Sequence, residues 1–278
     1  MLANLLKDLR IQSRLPDEVI VVDNASLDQT ESMVKVNYPA VNYIKLVENL
    51  GSAGGYYEGI KRAAESSDFI YTLDDDVCLK PDTLFEIVKG FQLLEKALPS
   101  RIGAVRSVGK GHPEDVPTKL DMCPWRGTLF KTSIVREAGL PSPDYFLYGE
   151  DLEYSLRLTK IGYSFYWIPT SICQERHRDQ SGKIHQSVLG GIIVRYQDPF
   201  RLYYAFRNEI SIYLHYHRVF KLFHTVMYAM KVTLMILASE GWNGQKSIEA
   251  VTKGIIDGFR GRLGKNLSFT KTYKDNST

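Results

Sequence analysis

Three adjacent carboxylates in the N-terminal half of the chain have the clearest chemical potential. Asp74-Asp75-Asp76 directly follows an apolar run that extends from Phe69 to Leu73. Adjacent carboxylates repel one another and are costly to bury, and a bound divalent cation offsets both penalties. Their oxygen atoms suit Mg²⁺ or Mn²⁺, ions that bridge a protein carboxylate to substrate phosphates. The alternative is a solvated acidic turn.

A glycine-rich segment, Asn49 to Gly55, lies between a strand-like and a helix-like stretch. Glycine lets a ligand approach the backbone and a helix N-terminus favours anions, so Gly51, Gly54 and Gly55 are candidates for binding a phosphate. A tight turn between a strand and a helix explains the same glycines. Both interpretations stay open at this point.

Two carboxylates, Glu150 and Asp151, precede the helical pattern of residues 152–160. Acidic residues at such a place complement the helix dipole. Alternatively, one of them is a general base that removes the proton of an acceptor hydroxyl.

Two further candidates have an ordinary structural explanation beside the functional one. Trp125-Arg126-Gly127 is either a substrate platform or part of the core. His177, in a run of charged residues, is either structural or a third metal ligand near the Asp cluster, with His185 as the substitute.

The elements that must position these residues alternate between strand and helix patterns. Apolar runs predict strands at 18–23, 41–47, 69–73 and 163–167, and helical spacing predicts helices at 2–9, 54–66, after Pro81, and at 149–160. This alternation predicts an α/β fold with a mostly parallel sheet flanked by helices. Ligands bind at the carboxyl ends of such strands, which is where Asp23 and Asp74 to Asp76 fall.

The rest of the chain predicts a helical extension. Residues 177–196 are polar and contain glycine, so we expect a loop or mobile flap, and the chain is helical from Asp198 onward. We therefore expect a catalytic domain over residues 1–198 and a C-terminal helical extension over 199–278.

Composition sets the wider limits. The chain has 278 residues, 44% of them hydrophobic, and a net charge of +3 with scattered basic residues, so a nucleic-acid role is not expected. Its three cysteines are far apart, which is typical of free thiols in a reducing compartment.

No signal peptide is visible, and the most apolar stretch, Val219 to Ala238, is interrupted by Lys221, His224 and Lys231. We expect a cytoplasmic protein, with peripheral contact of its C-terminal helices at the inner face of the membrane.

Taken in order, these segments resemble the family-2 glycosyltransferases, which are inverting enzymes with a nucleotide-sugar-binding GT-A fold. The resemblance covers roughly residues 1–210. Within the family, the chain is most similar to the galactofuranosyltransferase and rhamnosyltransferase branch. The matching segments are Val21–Asp28, Asn49–Gly55, Tyr71–Asp76, Trp125–Gly127, Phe146–Arg157, His177 and Tyr203–Asn208.

The resemblance implies a role for each candidate residue. Asp74 and Asp76 match the metal-binding pair, completed by His177, with Mn²⁺ or Mg²⁺ as cofactor; Asp151 matches the catalytic base, with Glu150 beside it. The implied donor-binding residues are Asp23, Asn24, Ser26, Asn49, Gly51, Gly54, Gly55 and Asp75, and the implied acceptor-binding residues are Trp125, Arg126 and Gly127. Asn24 stands where the family often has a second Asp.

The expected reaction moves a sugar from a UDP-galactofuranose-like or dTDP-rhamnose-like donor to a hydroxyl of a glycan or a lipid-linked glycan. A nucleotidyltransferase is a competing hypothesis, but it needs a basic, glycine-rich loop near its N-terminus that we do not find. A non-catalytic nucleotide-sugar-binding protein of the same fold is the other alternative, although clustered like charges would bring such a protein no benefit.

The start of the chain departs from the family pattern. Family members begin with an apolar strand before the first helix, whereas Met1 here falls within that helix. We therefore expect the sheet to lack this strand. Because unpaired buried backbone groups are costly, we expect this chain to be less stable and less active than a longer one.

Overall fold

The computed structural model describes residues 1–109, 116–176, 184–189 and 192–270. The helices are α1 Leu2–Arg10, α2 Thr30–Asn37, α3 Gly51–Ala63, α4 Thr83–Ala97, α5 Thr132–Ala138, α6 Glu150–Lys160, α7 Pro199–His215, α8 Val219–Glu240, α9 Gln245–Phe259 and α10 Leu267–Thr270. The strands are β1 Ile20–Asp23, β2 Asn42–Lys45, β3 Phe69–Thr72, β4 Val77–Leu79, β5 Arg101–Val108, β6 Thr118–Leu120, β7 Thr128–Lys131, β8 Tyr163–Glu175, β9 Ile184–Leu189 and β10 Ile192–Gln197.

The chain forms two compact units. The first contains Met1–Ser142 and the segment from Asp151 to the end of β8. The second contains Pro143–Glu150 and the chain from β9 onward. The division into 1–198 and 199–278 stays a prediction, because a compact unit is not by itself a domain that folds alone.

The main sheet of the first unit has six strands. Its order is β3-β7-β5-β8-β4, and β6 also pairs with β8. The α/β class is confirmed, but the sheet is mixed: β5 and β8 run parallel, whereas β4, β6 and β7 pair antiparallel with their neighbours. These three strands are only three or four residues long. They carry too little pattern to be recognised beside the longer strand–helix alternation.

A second, two-stranded sheet carries Asp23, one of the candidate site residues. β1 and β2 pair in parallel, with Asp23 opposite Lys45, and the described residues place no further strand in this sheet. Its core includes the predicted stripe of α1, where Leu5, Leu6 and Leu9 are buried. The amphipathic pattern of α1 is therefore confirmed.

The helix α4 covers one side of the main sheet. Ile87 and Phe91 from this helix are fully buried against Val105 of β5 and Ile168 of β8. This core supports the strands whose ends carry the candidate site.

The second unit contains a hairpin where we predicted a loop. β9 and β10 pair antiparallel from Ile184↔Gln197 to Leu189↔Ile192. Both strands are rich in Ile and Val, and two glycines stand between them in the sequence, which is the pattern of a two-residue hairpin. The prediction of a flap over 177–196 was therefore wrong for these strands, because the charged residues before them obscured the pattern.

Two helices of the second unit pack unusually close together. A Cβ on Gly254 of α9 would lie 2.7 Å from the carbonyl oxygen of Tyr203, and one on Gly258 would lie 2.7 Å from that of Arg207. Only glycine permits this backbone approach. It places α7 against α9 over a core of aromatic side chains from α7.

The helix α8 buries one side and exposes the other. Its buried stripe contains Thr225, Ala229, Val232 and Ile236. Its exposed apolar stripe contains Phe220, Phe223, Met227, Met230, Leu234 and Leu237. By length and composition the stretch Val219–Phe259 could cross a membrane, and only 22% of its most apolar window is buried, unlike a core helix.

Candidate active site

Asp23 is the last residue of β1, and it is buried. It accepts hydrogen bonds from the backbone N–H of Ser26, at 2.8 Å, and from the hydroxyl of Tyr43. Burial acts to raise the pKa of Asp23, but the hydrogen bonds from Ser26 and Tyr43 outweigh it, so the pKa is lowered. Asp23 is therefore held as a carboxylate at the carboxyl end of its strand.

The side chain of Asn24 joins two of the predicted donor-binding segments. Its Oδ1 accepts from the N–H of Leu50 at 2.7 Å, and its Nδ2 donates to the carbonyl of Gly51 at 2.7 Å. Gly51 is in the left-handed region with φ of 72°, and its N–H donates to Asn49 Oδ1 at 2.8 Å. The end of β1 and the start of α3 are thus tied together.

The glycines at the start of α3 differ in what surrounds them. A Cβ on Gly54 would lie 2.3 Å from the Cβ of Leu50, whereas one on Gly55 would meet nothing within 4 Å. Gly54 is therefore explained by the packing of the turn itself. Gly55, the fifth residue of α3, leaves open space near the N-terminal end of the helix, where an anion is favoured.

The three adjacent carboxylates occupy the turn between β3 and β4. Asp74 accepts a hydrogen bond from Tyr56 of α3. Asp75 is exposed, whereas Asp76 is buried and its carbonyl accepts from the N–H of Arg176 at 2.6 Å. Across the residues with described positions, no three His, Cys, Asp or Glu side chains converge on a point that could hold a metal ion.

The segment Trp125-Arg126-Gly127 is anchored to the strand that precedes the acidic turn. Thr72 Oγ1 donates to the carbonyl of Trp125 at 2.5 Å, and the N–H of Gly127 donates to the carbonyl of Thr72 at 2.9 Å. The φ of Gly127 is 71°, and a Cβ there would lie 3.1 Å from that of Cys173. This position therefore requires glycine for two reasons.

The Trp125 side chain is buried and stacks on Tyr56, with ring centroids 5.6 Å apart. It thus supports the residue that donates to Asp74. Its indole N–H has no hydrogen-bond partner among the residues that the structure describes. Arg126 forms an ion pair with Glu175 at 2.7 Å.

The second residue of α6, Asp151, accepts a hydrogen bond from the N–H of Leu152 at 2.8 Å. Burial raises its pKa; this hydrogen bond opposes the shift, the negative charge of Asp74 adds to it, and Arg106 opposes it. The structure therefore brings Asp151 within electrostatic range of Asp74. Glu150, which precedes it, is buried and belongs to the second unit.

The structure adds Arg106, which the sequence analysis missed. This side chain of β5 is half-buried, and its Nε donates to the carbonyl of Arg126 at 3.1 Å. Burial lowers the pKa of Arg106, while the negative charge of Asp151 raises it. An arginine within the apolar run of residues 102–108 was the available signal, because an isolated charge in a buried strand needs a partner.

The proposed third metal ligand is not placed. His177 lies outside the described residues, and His185 lies in β9, where side chains are not described. The role of either histidine stays a prediction.

Comparison with known sequences points to one family. The family described as Glycosyl transferase family 2 matches residues 1–145. The galactofuranosyltransferase GlfT1 of Mycobacterium tuberculosis is 26% identical over 239 residues, covering 75% of this chain and 76% of the relative. GlfT1 of Mycolicibacterium smegmatis is 28% identical over 190 residues, covering 59% of this chain and 63% of the relative.

Comparison with solved structures shows a shared GT-A fold. Residues 1–349 of S. aureus TarS, in complex with UDP-GlcNAc, match with a TM-score of 0.51 and 16% identity over 94% of this chain and 88% of theirs. GalNAc-T7 with UDP, GalNAc and Mn²⁺ matches with a TM-score of 0.57 and 13% identity over 97% of this chain and 55% of that one. The chain spans 43% of the longer TarS structure.

Within the candidate site, the carboxylates of Asp23 and Asp151 have pKa values shifted in opposite directions, so they should affect stability in opposite directions. The lowered pKa of Asp23 contributes stability that is present above the unfolded pKa and lost as pH falls through the folded one. Asp23→Asn should therefore lower the free energy of unfolding at neutral pH by about 1–2 kcal/mol. The raised pKa of Asp151 means that its ionised form costs stability, so Asp151→Asn should raise the free energy of unfolding by roughly 1 kcal/mol or less.

Urea denaturation at neutral pH and below the ordinary range of Asp pKa values measures both effects. Each difference from wild type should shrink in acid, where the carboxyl groups are protonated in both states. Asp17→Asn, at an exposed site, is the control and should change the free energy of unfolding by less than about 0.5 kcal/mol. A loss of stability in Asp151→Asn would contradict the electrostatic account of this site.

Proposed function

Because the chain belongs to glycosyltransferase family 2, we propose that it is an inverting enzyme that moves a sugar from a nucleoside-diphosphate donor to a hydroxyl of a glycan or a lipid-linked glycan. The observation that carries this proposal is that Asp151, at the start of α6, lies within electrostatic range of Asp74, in the turn after β3. One carboxylate faces the acceptor proton, and the other serves the donor diphosphate.

The donor side of the site consists of the ends of β1 and β3 and the start of α3. Relatives named galactofuranosyltransferases and a TarS structure with UDP-GlcNAc support a UDP-sugar, such as a UDP-galactofuranose-like donor. A dTDP-rhamnose-like donor is the alternative. Asp23, Ser26 and Gly55 would face the nucleotide. Asn24 acts through the turn that it ties together, since both ends of its amide already bond to the backbone.

The acidic turn is the proposed site of a divalent cation. Asp74 and Asp76 supply hard oxygen atoms from one short turn, and His177 is the proposed third ligand, so these residues would hold Mn²⁺ or Mg²⁺. A GalNAc-T7 structure with Mn²⁺ supports this choice. The bound ion would neutralise the charge of the diphosphate leaving group. Tyr56 orients Asp74 by donating to its Oδ1, and the Trp125 ring holds Tyr56 in place.

The carboxylate of Asp151 is the proposed general base. It takes the proton of the acceptor hydroxyl as that oxygen bonds to the anomeric carbon, and the bond from this carbon to the diphosphate oxygen breaks on the opposite face. The anomeric configuration is therefore inverted, and no covalent enzyme intermediate forms. Burial raises the pKa of Asp151 and so makes it a stronger base than an exposed aspartate, while the N–H of Leu152 and the positive charge of Arg106 oppose this rise.

The apolar stripe of α8 is proposed to contact an anionic lipid surface. Phe220 is 92% exposed, and Trp242, just after the helix, is 89% exposed. The helix carries Lys221 and Lys231, and its only acidic residue is Glu240 at the end. An exposed apolar stripe with flanking lysines and an interfacial tryptophan favours binding to anionic headgroups. This contact would bring the enzyme to a lipid-linked acceptor.

The donor site predicts metal-dependent nucleotide binding. Calorimetric titration of UDP and dTDP, each with and without Mn²⁺, should show tighter binding of one nucleotide with the metal. Asp76→Ala should weaken that binding by about 10-fold or more, because it removes a metal ligand. Asp17→Asn is the matched control and should bind as wild type does. If neither nucleotide binds under any condition, the glycosyltransferase assignment of this site fails.

The proposed base predicts a loss of turnover without a loss of donor binding. Asp151→Asn should lower the turnover number by about 10²- to 10⁴-fold, since the amide cannot accept the acceptor proton. Donor affinity should stay within about twofold, because Asp151 acts on the acceptor. Turnover is measured by release of the nucleotide product, with exposed Asp121→Asn as the control. Wild-type turnover in Asp151→Asn would exclude this residue as the base.

The apolar stripe predicts membrane binding that depends on lipid charge. The protein should co-sediment with vesicles of phosphatidylglycerol and phosphatidylcholine, and less with phosphatidylcholine alone. Replacing Phe220 and Phe223 by Ser should weaken binding by about 10-fold or more, because two phenyl rings leave the bilayer interface. Phe85→Ser, at a 46% exposed site on α4, is the matched control. Unchanged sedimentation of the double variant would remove the stripe as the contact.

A further inference from the structure

The segment just before the proposed base has a strained backbone. Phe146 and Tyr148 have φ angles of 63° and 67°, and Gly149 has φ of 86°. Left-handed backbone is unfavourable for residues with a side chain, so such a segment persists only where its surroundings hold it. Strain of this kind concentrates at functional sites, and here it immediately precedes helix α6 and Asp151.

One buried amide holds this segment. Nδ2 of Asn208, on α7, donates to the carbonyl oxygens of Tyr145, Leu147 and Tyr148, at 3.0, 2.9 and 2.6 Å. Asn208 has no solvent exposure. Because an amide nitrogen has two hydrogens, the three carbonyls share them, and the carbonyl of Tyr145 also accepts from the N–H of Leu147 at 2.7 Å.

The neighbouring Arg207 fixes the orientation of that amide. Its Nε donates to Asn208 Oδ1 at 2.8 Å, which leaves Nδ2 facing the strained segment. The same guanidinium donates to the carbonyl of Tyr145 at 2.8 Å and to that of Gly264 at 2.6 Å. It lies over the ring of Tyr204, 4.6 Å from the centroid, and is 1% exposed. It is a buried cation whose bonds all point into the protein.

The close approach of the backbone completes the arrangement. A Cβ on Gly149 would lie 3.0 Å from Ile212 and 3.2 Å from the Cβ of Asn208. The segment therefore lies directly on α7, and neither its conformation nor its distance from the helix is free to change.

We infer that Arg207 and Asn208 are positioning residues for the general base: they hold residues 145–149, the segment that leads directly into Glu150 and Asp151. This inference rests on the proposed role of Asp151. Neither residue needs to touch the donor or the acceptor. The pair also accounts for the Tyr203–Asn208 segment, which none of the proposed site roles uses.

The experiment combines kinetics with amide hydrogen exchange on the full chain. Asn208→Ala should lower the turnover number by about 100-fold, because a small misplacement of a catalytic group has an effect of that size. The donor dissociation constant should change by less than about twofold. Exchange at the amides of residues 145–152 should become faster.

Two further variants make the result specific. Thr225→Val is the control, because it removes the 2.9 Å bond from Thr225 of α8 to Glu209 of α7 without removing a bond of Arg207, Asn208 or the strained segment. It should leave turnover and exchange at 145–152 as in wild type. Arg207→Lys keeps the positive charge but loses the planar group that orients Asn208, so it should show the same pattern as Asn208→Ala and serves if that variant does not fold.

Each outcome decides between the two proposals. Unchanged turnover or unchanged exchange in Asn208→Ala, with Asp151→Asn inactive, would overturn only the positioning inference. Loss of turnover in Thr225→Val equal to that in Asn208→Ala would also overturn it, since a general loss of stability would then explain both. Full turnover in Asp151→Asn would overturn the base and the inference together.

Discussion

The burial of acidic side chains close to one another is the constraint on which the candidate site of the first unit depends. Burial raises the pKa of Asp151, and the nearby negative charge of Asp74 adds to that rise. Such an arrangement costs stability unless donors and cations surround it. The fold supplies Tyr56 to Asp74, the N–H of Leu152 to Asp151, and Arg106 nearby. A substrate with a diphosphate and a metal ion would complete the balance of charge.

The groups that stabilise these acidic side chains come from separate helices and strands, so the site depends on the packing of much of the first unit. Tyr56 comes from α3, and Trp125, which stacks on it, comes from the segment before β7. That segment is held by Thr72 at the end of β3, directly before the acidic turn. The mixed sheet therefore fixes the position of the acidic turn. The buried Trp125 contributes to the site by packing against Tyr56, which donates to Asp74.

The second unit shows a similar balance of stability against function. It holds three left-handed residues in the segment before α6 through a buried arginine–asparagine pair, and its glycines let α9 approach α7 closely. It also leaves an apolar stripe of α8 exposed. A sequence selected only for stability would have relaxed the strained backbone of this segment and covered the apolar stripe of α8. Both features are therefore better explained by a functional role than by packing.

The alternation of strands and helices from α1 to α4, the amphipathic face of α1 and the position of Asp23 and Asp74 after strands could all be predicted from the sequence. These features follow from local periodicity, which the order of residues carries directly. The short strands β4, β6 and β7 and the hairpin β9–β10 could not, because their pairing depends on distant partners. Nor could the roles of Tyr56, Arg106 and Asn208. Hydrogen bonds and charges act through space, and only the tertiary structure decides which residues 18, 45 or 60 positions apart come within reach.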